Sequence, residues 1–150
     1  MYKRIAVAID GSKTSDAALS EAIKLAGEMK STLLLLHVCE ELPIMTVPDD
    51  MMSVQIPEIM KVIEGSARSL LKKSKGQVAS QEIAVETKLV ESTGDRMGTI
   101  ISEEAQKWNA DLLVVGTHGR KGFEHLIMGS VAEGVIRTAA IPVLLIRGKN

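Results

Sequence analysis

Gly116-Thr117-His118-Gly119, then nine residues, then Gly129-Ser130, follows directly on the apolar run Leu112-Leu113-Val114-Val115 and leads into a stretch with helical spacing. A buried strand ending on glycine and a helix beginning on Gly-Ser frame a loop whose backbone can approach an anion. Gly116 lets the chain turn off the strand. Gly119 brings N–H groups toward a ligand with no Cβ in the way, and Gly129 does the same where the helix starts. Ser130 adds a hydroxyl donor, and the helix aims the positive end of its dipole at the same spot. The stretch reads as a phosphate cradle at the end of a strand.

Upstream, residues 5–9 form a short apolar run closed by Asp10-Gly11, consistent with a strand buried on both faces. With Ser15 as cap, Ala18, Ala22, Leu25, Ala26 and Met29 recur at three- and four-residue spacing over residues 16–30, the pattern of an amphipathic helix. Residues 33–38 read as a second strand, and residues 40–55, with Pro43, Pro48 and Met45, Met51 and Met52, as a long Met-rich loop. Helical spacing resumes over residues 56–75 through Ile59, Ile63, Ala67, Leu70 and Leu71, with Gly76 at the C-cap position. Residues 83–90 alternate, Glu86 and Lys88 standing among Val85, Thr87 and Leu89, as in an edge strand with one wet face. Met97, Ile101, Ala105 and Trp108 mark a third helix, residues 130–139 a fourth, and Val143-Leu144-Leu145-Ile146 the last strand.

Strands alternating with helices give a parallel sheet covered on both faces, because the crossovers are right-handed. The predicted fold class is α/β: one domain over residues 1–150, with a doubly wound five-stranded parallel sheet in the order 3-2-1-4-5. Ligands of such sheets sit beyond the carboxyl ends of the strands, where the winding reverses. Here that point lies between Asp10 and Gly116. Asp10 supplies a carboxylate able to accept from ribose hydroxyls or to help hold a metal. Val38, ending the second strand, has backbone groups to offer an adenine ring.

Composition narrows the function. The 150 residues are 45% hydrophobic and 25% charged, with a formal net charge of −1. A nucleic-acid partner calls for an excess of Lys and Arg that is missing here. The apolar run Leu33 to Leu36 is far short of the ~20 residues that span a bilayer. The single Cys39 reads as a small buried side chain. The opening residues are too short and wrongly flanked for a signal peptide, so a cytoplasmic protein is expected. His37 reads as a core histidine, and His118 and His125 make no metal-ligand spacing. Arg120 and Lys121 read either as charge near the phosphates or as a solvated loop face. Gly11-Ser12-Lys13-Thr14 resembles a P-loop tail, but Ala6 stands where that motif needs its first glycine and Ser12 where it needs lysine. A dinucleotide fingerprint would need more glycines in this first turn.

The spacing of glycine, two residues, glycine, nine residues, glycine, then serine resembles the signature of the universal stress protein family, specifically its ATP-binding branch. The resemblance extends to Val7-Ala8-Ile9-Asp10-Gly11-Ser12, to Leu36-His37-Val38, and to Ile141-Pro142-Val143-Leu144. It implies a Rossmann-like fold of the adenine nucleotide α-hydrolase kind, with ATP as ligand. Adenine would lie near Ala8 and Val38, and the ribose against Asp10 and Gly116. The phosphates, with Mg or Mn, would meet His118, Gly119, Gly129, Ser130 and Val131. It also implies a homodimer through Val143 to Ile146, whose unbroken apolar run at a sheet edge invites pairing. The expected function is nucleotide-dependent stress response or signalling. With no P-loop lysine and no clear base or arginine finger, no catalytic residue is assigned and any ATP hydrolysis should be slow. Two alternatives stand beside it: an enzyme acting on the α-phosphate of ATP, and a nucleotide-free dimeric scaffold. The first would need an extra serine-glycine loop and a second substrate domain, neither of which the sequence supplies.

Overall fold

The computed structural model describes residues 1–40, 56–92, 96–119 and 128–148. The expectations that fall on Met45, Met51, Met52, Arg120, Lys121 and His125 lie outside these residues. Among the described residues the order is β1 (Arg4–Ala8), α1 (Lys13–Met29), β2 (Thr32–Glu40), α2 (Ile56–Ala79), β3 (Val85–Ser92), α3 (Met97–Lys107), β4 (Leu112–Gly116), α4 (Ser130–Thr138) and β5 (Val143–Ile146). The strands form one sheet in the order β3-β2-β1-β4-β5, and every neighbouring pair is parallel. β1 pairs with both β2 and β4, so the winding reverses on its two sides, as the sequence predicts.

The period of the strands sorts their side chains into two layers. Ile5, Val7, Leu33 and Leu35 pack with Ala18, Leu19 and Ala22 of α1 and Leu71 of α2. Ala6, Leu34, Leu36 and Leu113 pack on the other face with Ile101 and Ala105 of α3 and Val135 of α4. Burial on both faces is why the central strands read as unbroken apolar runs. The alternating strand β3 lies at an edge, and Glu86, Thr87 and Lys88 are exposed. β5 is the other edge, and each of its residues is only half-buried.

Glycines set how closely α4 approaches α3. A Cβ on Gly98 would stand 2.6 Å from the Val131 carbonyl oxygen and 2.7 Å from the Val135 nitrogen, and one on Gly134 3.3 Å from the Gly98 Cα. Thr138 Oγ1 donates to Ser102 Oγ across the same crossing at 3.1 Å. Backbone meets backbone here, which fixes where α4 begins.

Three local expectations are corrected. Ser12, not Ser15, caps α1: its hydroxyl accepts the Ser15 N–H at 3.2 Å, and the helix starts at Lys13. Ser15 is instead buried and accepts the Asp10 N–H at 3.0 Å, so a tertiary contact uses the hydroxyl that the sequence offered as a cap. Gly76 does not end its helix. α2 continues to Ala79, Gly76 O accepts from Ser80 N, and the left-handed residue after it is Glu82, at φ 59°. The apolar spacing of α2 also overstates its buried face, since Ala67 and Leu71 are buried while Ile59 is 45% exposed. Among the described residues no helix is long and apolar enough to cross a membrane.

Candidate functional site

The carboxyl ends of β1 and β4 open onto a crevice walled by the turn from β1 into α1 and the segment after β4. Asp10 stands in the first wall. Its backbone N–H is held by Ser15, and its Oδ1 accepts the Ser12 N–H at 2.8 Å, so the carboxylate is braced by its own turn. Gly11 takes φ 79°, a left-handed conformation that glycine adopts without penalty. The second wall is close: a Cβ on Gly119 would lie 2.9 Å from Asp10 Oδ2. A side chain at 119 would collide with the carboxylate, which gives the second glycine of the spacing its physical reason.

Gly116 and Gly129 are explained the same way. A Cβ on Gly116 would come within 2.7 Å of Thr14 Cγ2 in the first turn of α1. One on Gly129 would lie 3.3 Å from the Thr117 carbonyl oxygen and 3.7 Å from the Gly119 nitrogen. The Gly129 N–H donates to that Thr117 oxygen at 2.6 Å, which brings the start of α4 against the end of β4. Thr117 is buried, its N–H donates to Ile146 O at 2.9 Å, and its hydroxyl shares a 3.1 Å hydrogen bond with His118 Nδ1. Thr117 occupies a free position of the glycine spacing, so nothing in the pattern marks it. Its role appears only when β5 lies beside it.

Among the described residues no side chain caps the start of α4, and the first intrahelical bond runs from Glu133 N to Gly129 O. The N–H groups of Ser130, Val131 and Ala132 precede that bond and so have no partner within the helix, with the dipole behind them. Ser130 is exposed and Val131 half-buried. On the near side, Ala8 is the half-buried last residue of β1. Val38 is 6% exposed in β2, where it pairs with Val90 of β3. The structure thus brings Asp10, Gly116, His118, Gly119 and Gly129 together around one crevice, with Ser130 and Val131 at its helical end and Ala8 at the end of β1; Val38 does not end its strand as the sequence predicts, because pairing with β3 carries β2 on to Glu40. A groove of about 250 Å³ between α1 and α2, which Asp16, Ser20, Lys73 and Gln77 help to line, reaches Gly11 of the same turn.

A parallel sheet in the order β3-β2-β1-β4-β5, with its winding reversed between β1 and β4, defines a doubly wound α/β protein whose switch point lies at this crevice. Comparison with known proteins makes this specific. The model of the universal stress protein family matches residues 1–147. Universal stress protein MJ0531 of Methanocaldococcus jannaschii is 34% identical over 98% of this chain and 83% of its own length. The solved structure of MJ0577, from the same organism, covers 100% of this chain and 99% of its own at a TM-score of 0.83 and 25% identity. A universal stress protein from Archaeoglobus fulgidus, solved in complex with dAMP, shares the fold at a TM-score of 0.67 and 22% identity, covering 97% of this chain and 98% of its own. This chain belongs to the universal stress protein family.

Proposed function

We propose that the chain binds ATP in the crevice between β1 and β4 and acts as a nucleotide-dependent stress-response or signalling module. The observation that carries this reading is the uncapped N-terminus of α4, approached through Gly129 and faced by Asp10 across Gly119. Helical N–H groups suit phosphate oxygens, and a carboxylate that accepts hydrogen bonds suits ribose hydroxyls. In this arrangement His118, Gly119, Gly129, Ser130 and Val131 take the phosphates, Asp10 and Gly116 the ribose, and Ala8 and Val38 the adenine. The dAMP complex of a family member supports an adenine nucleotide as the ligand class.

Among the described residues no group of three or more His, Cys, Asp or Glu could hold a metal ion. A Mg or Mn ion would enter on the phosphates, with Asp10 as the nearby carboxylate, and would supply charge neutralisation there. Hydrolysis is at most slow in this reading, since the first turn lacks a P-loop lysine. The protein works as a homodimer through β5. Leu144 and Leu145 belong to a half-buried apolar edge, and Ile136 of α4 is 47% exposed. A strictly monomeric elution at micromolar concentration in a sizing experiment would rule that dimer out.

Titration calorimetry with ATP and magnesium tests the central claim. Gly129→Leu should weaken binding by at least about tenfold, roughly the worth of one charge-assisted hydrogen bond. Wild-type protein that binds no adenine nucleotide would leave the scaffold reading in its place.

A further inference from the structure

The buried histidine of β2 does more than fill the core. In a strand, successive residues turn their N–H and C=O toward opposite neighbours. Leu33 N donates to Ala84 O, on the β3 side, and Leu36 O accepts from Ile9 N at 2.8 Å, on the β1 side. Val38 has the same parity as Leu36, so its N–H and C=O are directed toward β1, at a level where β1 has already ended at Ala8. The regular ladder partner for the Val38 N–H is Ile9 O.

That oxygen is taken by a side chain. His37, 5% exposed, places Nδ1 2.7 Å from Ile9 O. A carbonyl oxygen only accepts, so Nδ1 carries the proton and donates. Among the described residues no backbone hydrogen bond joins Val38 N to Ile9 O. The sheet therefore stops one rung early, beside the end of the strand that leads into Asp10. Ile9 O is satisfied without consuming the backbone donor that the crevice can use.

We propose that His37 is a positioning residue for the nucleotide site: by holding the Ile9 carbonyl it keeps the Val38 N–H open toward the crevice, where an acceptor nitrogen on the edge of the base can take it. The proposal rests on the reading of the crevice as an adenine nucleotide site. It divides the ligand's contacts in two, because His37 governs the base donor while the phosphates are met by α4.

Two variants and two probes test it. His37→Leu removes the ring donor and lets the Val38 N–H fall back onto Ile9 O, whereas His37→Asn keeps an N–H at the δ position. ATP and inorganic tripolyphosphate are titrated into each protein, and amide hydrogen exchange at Val38 is followed without ligand. His37→Leu should raise the Kd for ATP about three- to tenfold, the range of one neutral hydrogen bond, leave tripolyphosphate unchanged and slow Val38 exchange. His37→Asn should stay within about twofold of wild type in all three readouts. Equal losses for both probes in His37→Leu, unchanged ATP affinity, or a Val38 amide already as protected in wild type as in the leucine variant would each overturn the proposal. If wild-type protein binds neither probe, the nucleotide reading fails, and the Val38 exchange rates alone decide the role of His37. Should the leucine variant not fold, fast Val38 exchange in wild type and in His37→Asn supports the proposal, and slow exchange in both overturns it.

Discussion

The two ends of the sheet treat their polar groups in opposite ways. At the amino ends of the strands the groups are matched within the protein. The Asp111 carboxylate accepts the backbone N–H groups of Lys3 at 2.8 Å and Arg4 at 3.1 Å. The Arg4 guanidinium donates twice to Trp108 O, at 3.0 and 2.7 Å, and lies 3.8 Å from the centre of the Trp108 ring. Ser31 Oγ donates to Tyr2 O at 2.6 Å. At the carboxyl ends the first amides of α4 have no capping side chain among the described residues, and Val38 turns its N–H past the end of β1. Closing one end adds rigidity, while leaving donors at the other costs stability that a bound anion can return. Stability and binding should therefore be separable by mutation.

The largest effect should come from the crossing that holds the open end in place. Gly98→Ala forces a Cβ to within 2.6 Å of the Val131 carbonyl oxygen, so α4 must shift. The expected cost is about 2–3 kcal/mol in denaturant unfolding, the upper part of the range for overpacking, together with weaker ATP binding because the α4 amides move. A fully stable Gly98→Ala protein would show that the two helices can slide apart freely. Next, Asp111→Ala strips the acceptor from two backbone donors at the closed end, one of them exposed. It should lose about 1–2 kcal/mol of stability with ATP affinity unchanged. An equal fall in affinity would mean that the ends are coupled through β1 and β4, and the contrast between them would not hold.

The smallest effect sharpens the comparison at the wet edge. Glu104 of α3 is 7% exposed and is paired with Lys107 at 2.7 Å and with Lys88 of β3. Hydrogen bonds from Lys107, then from Lys88, hold its carboxyl below the usual glutamate range. A lowered folded-state pKa contributes stability that is complete above the unfolded value, about 4.3, and is lost as pH falls through the folded value. Both lysines are largely solvated, so the contribution is at most about 1 kcal/mol. Glu104→Gln should lower stability by up to about 1 kcal/mol at neutral pH and flatten the acid limb, the difference from wild type vanishing below about pH 4, as thermal unfolding across that range would show. An unchanged acid limb would assign the loss to other carboxylates.

The spacing of Gly116, Gly119 and Gly129 was legible as a pattern set at a strand end and a helix start, whereas the groups that crowd a Cβ at Gly116 and Gly119 are Thr14 and Asp10, far away in the chain. Asp10 was legible for a similar reason, as a polar residue closing a buried apolar run. The cap was misread because Ser12 and Ser15 both flank the turn, and only the packed turn shows that Asp10 N takes the Ser15 hydroxyl. Gly76 was misread because glycine is enriched at helix ends, yet here it lies inside α2. Thr117 carried no usable signal, and His37 was legible as a core histidine, which its burial bears out, but not as a partner of Ile9. Each acts on a group from a strand distant in sequence, Ile146 in one case and Ile9 in the other.

The sequence by itself determined the alternation of strands and helices, the two-faced burial of the central strands and the positions of the glycines, because period and local sterics act over a few residues at a time. Only the tertiary structure decided that Gly98 lies under Val131, that Gly119 faces Asp10 and that His37 reaches Ile9 O. Those juxtapositions depend on strand register and helix crossing, which join residues far apart in the chain and so leave no trace in local spacing.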